Sequence, residues 1–159
     1  MEQDLEKLAK WIDPLIGGLS SAEQFKLAKN IGQKIRRSQA TRIAQQKNPN
    51  GTPFEPKKKQ SIRERAASRR GRIRRAMFVK MKTTRFLRVN ATNTEIAVGF
   101  IGRVARIARE HQEGLRVGVN QGRKPFVTYP ARRLLGLSQT DQEMIRDEVI
   151  THLENIMPK

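Results

Sequence analysis

The spacing of apolar residues changes partway along the chain, and this change constrains the fold more than any other feature. In the first 82 residues apolar side chains recur every three or four positions, the spacing of an amphipathic helix. From Leu87 they alternate with polar residues, as in a strand buried on one face. A last helical stripe follows Ser138. This order predicts an α+β fold, with N-terminal helices, a small antiparallel β-sheet interrupted by a short helix, and a C-terminal amphipathic helix.

Three helices are predicted in the N-terminal half. The first covers residues 2–16 and ends at two glycines. The second begins at a capping box formed by Ser20 and Glu23 and extends to about Gln46. Its apolar side is predicted to comprise Phe25, Ala28, Ile31, Ile35 and Ser38. After a turn that two prolines impose, a third helix is predicted over residues 62–82, with Met77 and Met81 on its apolar face.

The second half is predicted to contain two pairs of strands and two helices. Residues 87–100 have the pattern of a β-hairpin, and a short helix follows that Gly114 ends. Two more strands are expected at residues 115–119 and 126–129. Ser138 caps the last helix, with Asp141 at its third position. The apolar stripe of that helix is predicted to comprise Met144, Ile145, Val149, Leu153 and Ile156.

These elements are interpreted as one domain spanning residues 1–159. It has a helical part (1–46), a basic loop and helix (47–82), a β-rich part (83–137) and a closing helix (138–157). Only 36% of the residues are hydrophobic, which is low for a compact domain. A chain that completes its burial against neighbouring subunits would have this composition, and so would a monomer rich in loops.

The net charge of +18 indicates a negatively charged partner. Both ends of the chain are net acidic, and residues 57–75 contain ten basic residues against one acid. We call residues 57–75 the basic segment and predict that it contacts a nucleic acid or an acidic protein surface; a solvated run of charge is the alternative. No aromatic residue lies within it, so any DNA contact should not depend on sequence. The predicted contact residues are Lys57, Lys58, Lys59, Arg63, Arg65, Arg69, Arg70, Arg72, Arg74 and Arg75.

Four ordered blocks of the sequence carry a resemblance to a known family. Block one is Arg36-Arg37-Ser38-Gln39 with residues 45–54, and block two is Arg74-Arg75-Ala76-Met77-Phe78 with Thr84-Arg85-Phe86-Leu87. Block three is His111-Gln112-Glu113-Gly114, and block four is residues 129–138, which begin Tyr129-Pro130-Ala131-Arg132-Arg133. Together they resemble the tail completion (virion morphogenesis) proteins of contractile-tailed temperate phages. The motif positions are Gly51, Thr52, Pro53, Phe54, His111, Gln112, Gly114, Tyr129, Pro130, Arg132, Arg133, Leu135 and Gly136.

The resemblance implies a non-enzymatic protein of the virion tail or neck, assembled in the host cytoplasm. It implies action at the head-proximal end of the tail, where it completes the tail and enables head joining. Its expected partners are further copies of itself in a hexameric ring, other tail and neck proteins, and duplex DNA contacted without sequence preference. Block three is expected to be a structural turn between helix and strand. In block four the residue types predict that the leucines enter the core while Arg132 and Arg133 stay in solvent. The resemblance adds the expectation that this segment shapes a contact with another subunit or a partner.

Other classes of function find little support in the sequence. There is no cysteine, no signal peptide and no apolar run near the ~20 residues of a membrane span, so no membrane association is predicted. His111 and His152 are far apart in the sequence, and neither has a pattern typical of a metal site. No phosphate-binding glycine motif or nucleophile motif occurs, so neither a cofactor nor an enzymatic activity is predicted. The remaining alternative is a sequence-independent nucleic-acid-binding protein of the ribosome- or nucleoid-associated type.

Overall fold

The computed structural model describes residues 2–56, 76–120 and 123–156. Within these residues the chain is a mixture of helices and antiparallel strands, so the predicted α+β class is confirmed. The helices are α1 (Glu2–Ile16), α2 (Ser21–Ala44), α3 (Arg103–Glu113) and α4 (Gln139–Ile156). The strands are β1 (Leu87–Ala91), β2 (Ile96–Phe100), β3 (Arg116–Asn120) and β4 (Arg123–Thr128).

The strands form two separate hairpins, whereas the sequence predicted one sheet. β1 pairs with β2 from Leu87 opposite Phe100 to Ala91 opposite Ile96, and β3 pairs with β4. α3 lies between the hairpins along the chain, and among the described residues each strand pairs only with its hairpin partner. Two small hairpins therefore replace the predicted sheet.

α2 is the central element of the fold. The β1–β2 hairpin lies against it at Gly32, where an added Cβ would come within 2.6 Å of the Val89 side chain. Since even an alanine would collide there, glycine allows β1 to approach α2 this closely. α4 packs on α2 as well, and Lys34 and Glu148 form an ion pair between them.

The buried residues form two clusters. One lies among α1, α2 and α4 and comprises Leu8, Leu27, Ile31, Ile35, Ile145 and Val149. The other joins the end of α2 to the segments before β1 and before α4, and comprises Ile43, Phe54, Met77, Met81, Ala108 and Leu134. The second cluster thus connects residues far apart in the sequence.

Most of the predicted apolar stripe of α2 is buried, but Phe25 is 44% exposed. Leu27, which was not predicted, is buried in its place. Phe25 precedes Leu27 by two residues and so lies almost on the opposite side of the helix. The prediction for Phe25 was therefore wrong.

The predicted helix at residues 62–82 and the stripe of α4 also need correction. Residues 62–75 lie outside the described residues, and residues 76–86 form bends and turns. Phe78 has φ +62°, which an α-helix cannot accommodate. In α4, Ile145 and Val149 are buried and Leu153 is half-buried, whereas Ile156, the last residue of the helix, is exposed.

α4 begins with the predicted cap, and the same carboxylate also forms a buried ion pair. Ser138 Oγ accepts from Asp141 N at 3.1 Å, and Asp141 Oδ2 accepts from Ser138 N at 2.9 Å. Arg42 Nη1 of α2 lies 3.4 Å from the same Oδ2, and Arg42 Nη2 donates to Leu134 O at 3.2 Å. Burial lowers the pKa of Arg42 and the charge of Asp141 raises it. The pair fixes the start of α4 to the end of α2.

Candidate functional site

Each of the four sequence blocks contributes residues to one place in the structure, which we call the junction. It includes residues that precede the basic segment, up to Pro56, and residues that follow it, from Ala76. Block one contributes residues before the basic segment, and block two contributes residues after it. Blocks three and four come from the end of α3 and from the segment between β4 and α4.

A row of aromatic rings joins all four blocks. Phe54 and Phe78 meet edge to face, with ring centroids 5.9 Å apart. The ring centroids of Phe78 and His111 are 4.9 Å apart, and those of His111 and Tyr129 are 4.4 Å apart. Such aromatic contacts contribute roughly 0.5–1.5 kcal/mol each beyond the burial of area. The aromatic row therefore brings both sides of the basic segment together.

Arg132 fixes the N-terminal side of the basic segment. Its Nε donates to Glu55 O at 2.7 Å, and its Nη2 donates to Pro56 O at 3.1 Å. Its Nη1 lies 3.0 Å from His111 Nδ1, and its backbone N donates to His111 O at 2.7 Å. The expectation that Arg132 stays in solvent was wrong, because these acceptors allow it to be buried at 3% exposure, while Arg133 is exposed as expected.

Gln46 fixes the C-terminal side of the basic segment. Its Oε1 accepts from Met77 N at 2.6 Å, and its Nε2 donates to Met77 O at 3.0 Å. Gln46 has φ +59°, a left-handed conformation that is uncommon outside glycine, at the point where the chain leaves α2. Sequence reasoning placed Gln46 in block one but did not predict this contact. Because the contact is to backbone atoms, no pattern of side-chain types could have revealed it.

The remaining motif residues build the turns around the junction. Gln112 and Leu135 exchange two hydrogen bonds of 3.0 Å, which tie block three to block four. Gly114 ends α3 at φ +68°, and a Cβ there would come within 3.1 Å of Ala131 N. Block three thus forms the last turn of α3 and the glycine that ends it, just before β3.

Hydrogen bonds also hold the loop of block one, which follows α2. Asn48 Oδ1 accepts from Arg133 N at 2.8 Å, and Asn48 Nδ2 donates to Thr52 Oγ1 at 3.0 Å. Gly51 has φ +82°, and Lys47 forms an isolated antiparallel bridge with Pro53. Gly136 in block four also has a positive φ, of +140°. These two motif glycines occupy conformations that other residues adopt only with strain.

A cavity of about 820 Å³ opens at the junction. It is mainly apolar, and Pro130 and Val127 line it together with Met77, Phe78, His111 and Tyr129. His111 Nδ1 faces the Arg132 guanidinium, so this ring nitrogen acts as an acceptor and is not free to take up a proton. Among the described residues no cluster of side chains suited to a metal ion occurs. The site is thus a mainly apolar cavity where the segments of the junction meet.

The ten basic residues of the predicted contact lie outside the described residues, so their role stays a prediction. No role was predicted for His152. Its Nε2 lies 3.1 Å from Glu23 Oε2, without the alignment of a hydrogen bond. In the described parts of the chain no helix is long and apolar enough to cross a membrane.

The protein is expected to lose stability as the pH falls from about 6.5 towards 4. Burial and, as a smaller cause, the charge of Arg132 lower the pKa of His111 to about 4. In this range the unfolded chain gains a proton at the histidine while the folded protein does not, so protonation favours unfolding. The His111→Asn variant keeps an acceptor near the Nδ1 position and removes the titration. Between pH 7.5 and pH 5 the melting temperature should fall by more for the wild type than for the variant. Equal falls in the two proteins would contradict the lowered pKa assigned to His111.

A comparison with known proteins identifies the class. Residues 3–154 match the phage virion morphogenesis family, and the chain belongs to that family. It is 37% identical over 142 residues to tail completion protein S of Escherichia phage P2. The aligned region covers 88% of this chain and 91% of the relative. No solved structure matches it. The family resemblance predicted from the four blocks is confirmed.

Proposed function

We propose that this protein is a non-enzymatic assembly protein that completes the head-proximal end of a phage tail and enables the head to join it. Family membership over residues 3–154 is the observation that carries the proposal. The extent of the match to a tail completion protein supports it, since nearly the whole of both chains is aligned. The place of action is the tail or neck of the virion, after assembly in the host cytoplasm.

The construction of the junction supports a structural role for the motif residues. His111, Gln112 and Arg132 are engaged by partners within the chain. A side chain whose donors and acceptors are already satisfied is poorly placed for chemistry on a substrate. The motif therefore serves to hold segments that are distant in the sequence, and the protein acts through its surfaces.

We further propose that the protein forms a sixfold ring that contacts other tail and neck proteins. The low apolar content and the exposed side chains of Trp11, Phe25 and Ile101 fit a subunit that buries further surface on assembly. The basic segment would face duplex DNA or an acidic surface of a neighbouring ring. The alternative of a ribosome- or nucleoid-associated protein explains the charge, but it does not account for the family match.

Inactivating the gene in its phage is expected to leave heads and tails that do not join. Electron microscopy of lysates would show filled heads beside separate tails, and protein supplied from a plasmid should restore particles. In complemented lysates the protein should co-purify with tails. Normal particle yield without the protein would contradict the proposed role.

A further inference from the structure

We propose that an acidic stripe on α4 of one subunit docks on the bare outer face of the β1–β2 hairpin of the next subunit. This inference deepens the proposed ring and rests on it. Two surfaces of opposite charge carry it, and they occur on different elements of the same chain. We call them the α4 stripe and the hairpin face.

The α4 stripe runs along the side of the helix that faces away from the core. Ile145 and Val149 point into the core, so residues on the other side of α4 face solvent. The stripe comprises Glu143, Asp147, Ile150 and Glu154, which follow one another at intervals of four, three and four residues. That spacing places all four side chains in one line along the helix. Three carboxylates thus surround an isoleucine that is 43% exposed, in a protein of net charge +18.

The carboxylates of the stripe are available to a partner. Among the described residues Asp147 and Glu154 form no ion pair, and Glu143 accepts only a hydrogen bond from Gln139. The neighbouring carboxylate Glu148, in contrast, points towards α2 and is paired with Lys34. The sole cation beside the stripe on α4 is the exposed Arg146, which leaves the stripe net acidic.

The hairpin face is the side of β1–β2 that points away from α2. Val89, Ile96 and Val98 point inward, and Val89 and Ile96 meet α2 at Gly32. Successive residues of a strand face opposite sides, so Arg88 and Gly99, which are paired, point outward. Within the described residues, the position of a Cβ on Gly99 would have no atom within 4 Å. This side of the hairpin is therefore open.

The hairpin face combines apolar and basic residues next to that open space. A hydrogen bond from Ile101 N to Phe86 O extends the pairing beyond the strands, and Ile101 is 46% exposed. The Arg85 guanidinium lies 5.3 Å from the centre of the Phe86 ring. Among the described residues neither Arg85 nor Arg88 forms an ion pair. The face thus offers two cations beside an apolar patch.

The two surfaces match in charge, and each has an exposed isoleucine beside its charged groups. Asp147 and Glu154 are seven residues apart on a helix, roughly 10 Å at 1.5 Å per residue. Arg88 lies in β1 and Arg85 in the turn before it, on either side of Phe86 in the sequence. Ile150 lies between the two carboxylates and would meet Ile101 and the space above Gly99. A helix packed there would cover the hairpin on its second face, as α2 covers the first.

The contact must form between copies. α4 and the hairpin both pack on α2, and each of the two surfaces faces away from it. A contact between two different surfaces of identical chains is heterologous, and repeated contacts of this kind close into a ring or extend as a filament. It also opposes the repulsion expected between copies with a net charge of +18.

A charge swap tests the docking. Asp147→Arg and Arg88→Glu, made singly, should each weaken self-association about tenfold, or about 1.4 kcal/mol, in sedimentation velocity of the purified protein. The double variant should recover most of that loss, because it restores opposite charges at the contact. Ile150→Asp should also weaken association. Far-ultraviolet circular dichroism and melting temperature should be unchanged in all of them.

Matched controls are Glu6→Arg and Lys29→Glu, which change exposed charges on α1 and α2 by the same amount and should leave association unchanged. Failure of the double variant to recover would overturn the docking, as would a wild-type protein that stays monomeric up to its solubility limit. If Arg88→Glu instead weakens binding to duplex DNA and leaves self-association intact, the hairpin face binds a polyanion and the proposal is wrong. Co-purification with tails tests the proposed function separately, so either idea can fail while the other stands.

Discussion

Replacing Asp141 by alanine should destabilise the protein by about 3–5 kcal/mol, because the change leaves the buried charge of Arg42 without its partner. Asp141 is 2% exposed, and Arg42 Nε is already buried without a partner among the described residues. The same change removes the carboxylate that accepts from Ser138. Loss of one carboxylate thus affects both the cap of α4 and its attachment to α2.

Two further variants separate these effects. Ser138→Ala removes the cap alone and should cost about 1 kcal/mol. Adding Arg42→Met to Asp141→Ala removes the unpaired charge, so the double variant should be more stable than Asp141→Ala. Chemical denaturation at pH 7 measures all three. A loss for Asp141→Ala no larger than that for Ser138→Ala would show that the ion pair contributes little.

The local features of this fold could be predicted from the sequence because short-range rules determine them. The Ser20 and Ser138 caps, the stop at Gly114 and the β1–β2 hairpin depend on neighbouring residues, and each was found close to its predicted position. Phe25 was misjudged because the side of a helix that faces the core depends on what packs against it. The turns at residues 76–86 were misread as helix because the apolar spacing there matched a helix, although Phe78 has a positive φ.

The sequence predicted which residues belong to the candidate site, but it did not predict how they are arranged in space. The sequence pointed to His111, Arg132 and Tyr129 as motif residues, but nothing in their spacing indicated that they would meet Phe78. Arg132 bonds to the carbonyl oxygens of Glu55 and Pro56, and every residue type carries such an acceptor. Contacts of this kind leave no signal in the types of residue involved. For the same reason the burial of Arg132 contradicted a rule that holds for most arginines.

The described residues on either side of the basic segment are held at the junction. Arg132 holds Glu55 and Pro56, Gln46 holds Met77, and Phe54 meets Phe78.

Reversing the charge of Arg69, Arg70, Arg72 and Arg74 to glutamate should abolish the formation of infectious particles while leaving the fold intact. Surface changes of this kind usually shift stability by only ~0.5 kcal/mol each, so the variant should fold and remain soluble. Wild-type protein should bind duplex DNA with little sequence preference, and its affinity should fall steeply as salt rises because phosphate contacts release counterions. Plaque counts in a complementation assay and DNA binding at several salt concentrations measure the two effects. The matched control reverses Lys7, Lys26, Lys29 and Arg37, which are exposed on α1 and α2 and give the same change in net charge.

Plaque counts and DNA binding together identify the partner of the basic segment. Loss of particles together with loss of DNA binding, in the basic-segment variant alone, would place the segment at the DNA. Loss of particles from a protein whose wild type binds no DNA even at low salt would assign the segment to an acidic protein surface, since only the charge pattern has changed. Equal loss from the control variant would show that total charge, and not this segment, matters for assembly. Normal plaque counts from the reversed variant would mean that the ten basic residues are a solvated run of charge, and the role proposed for the segment would be wrong.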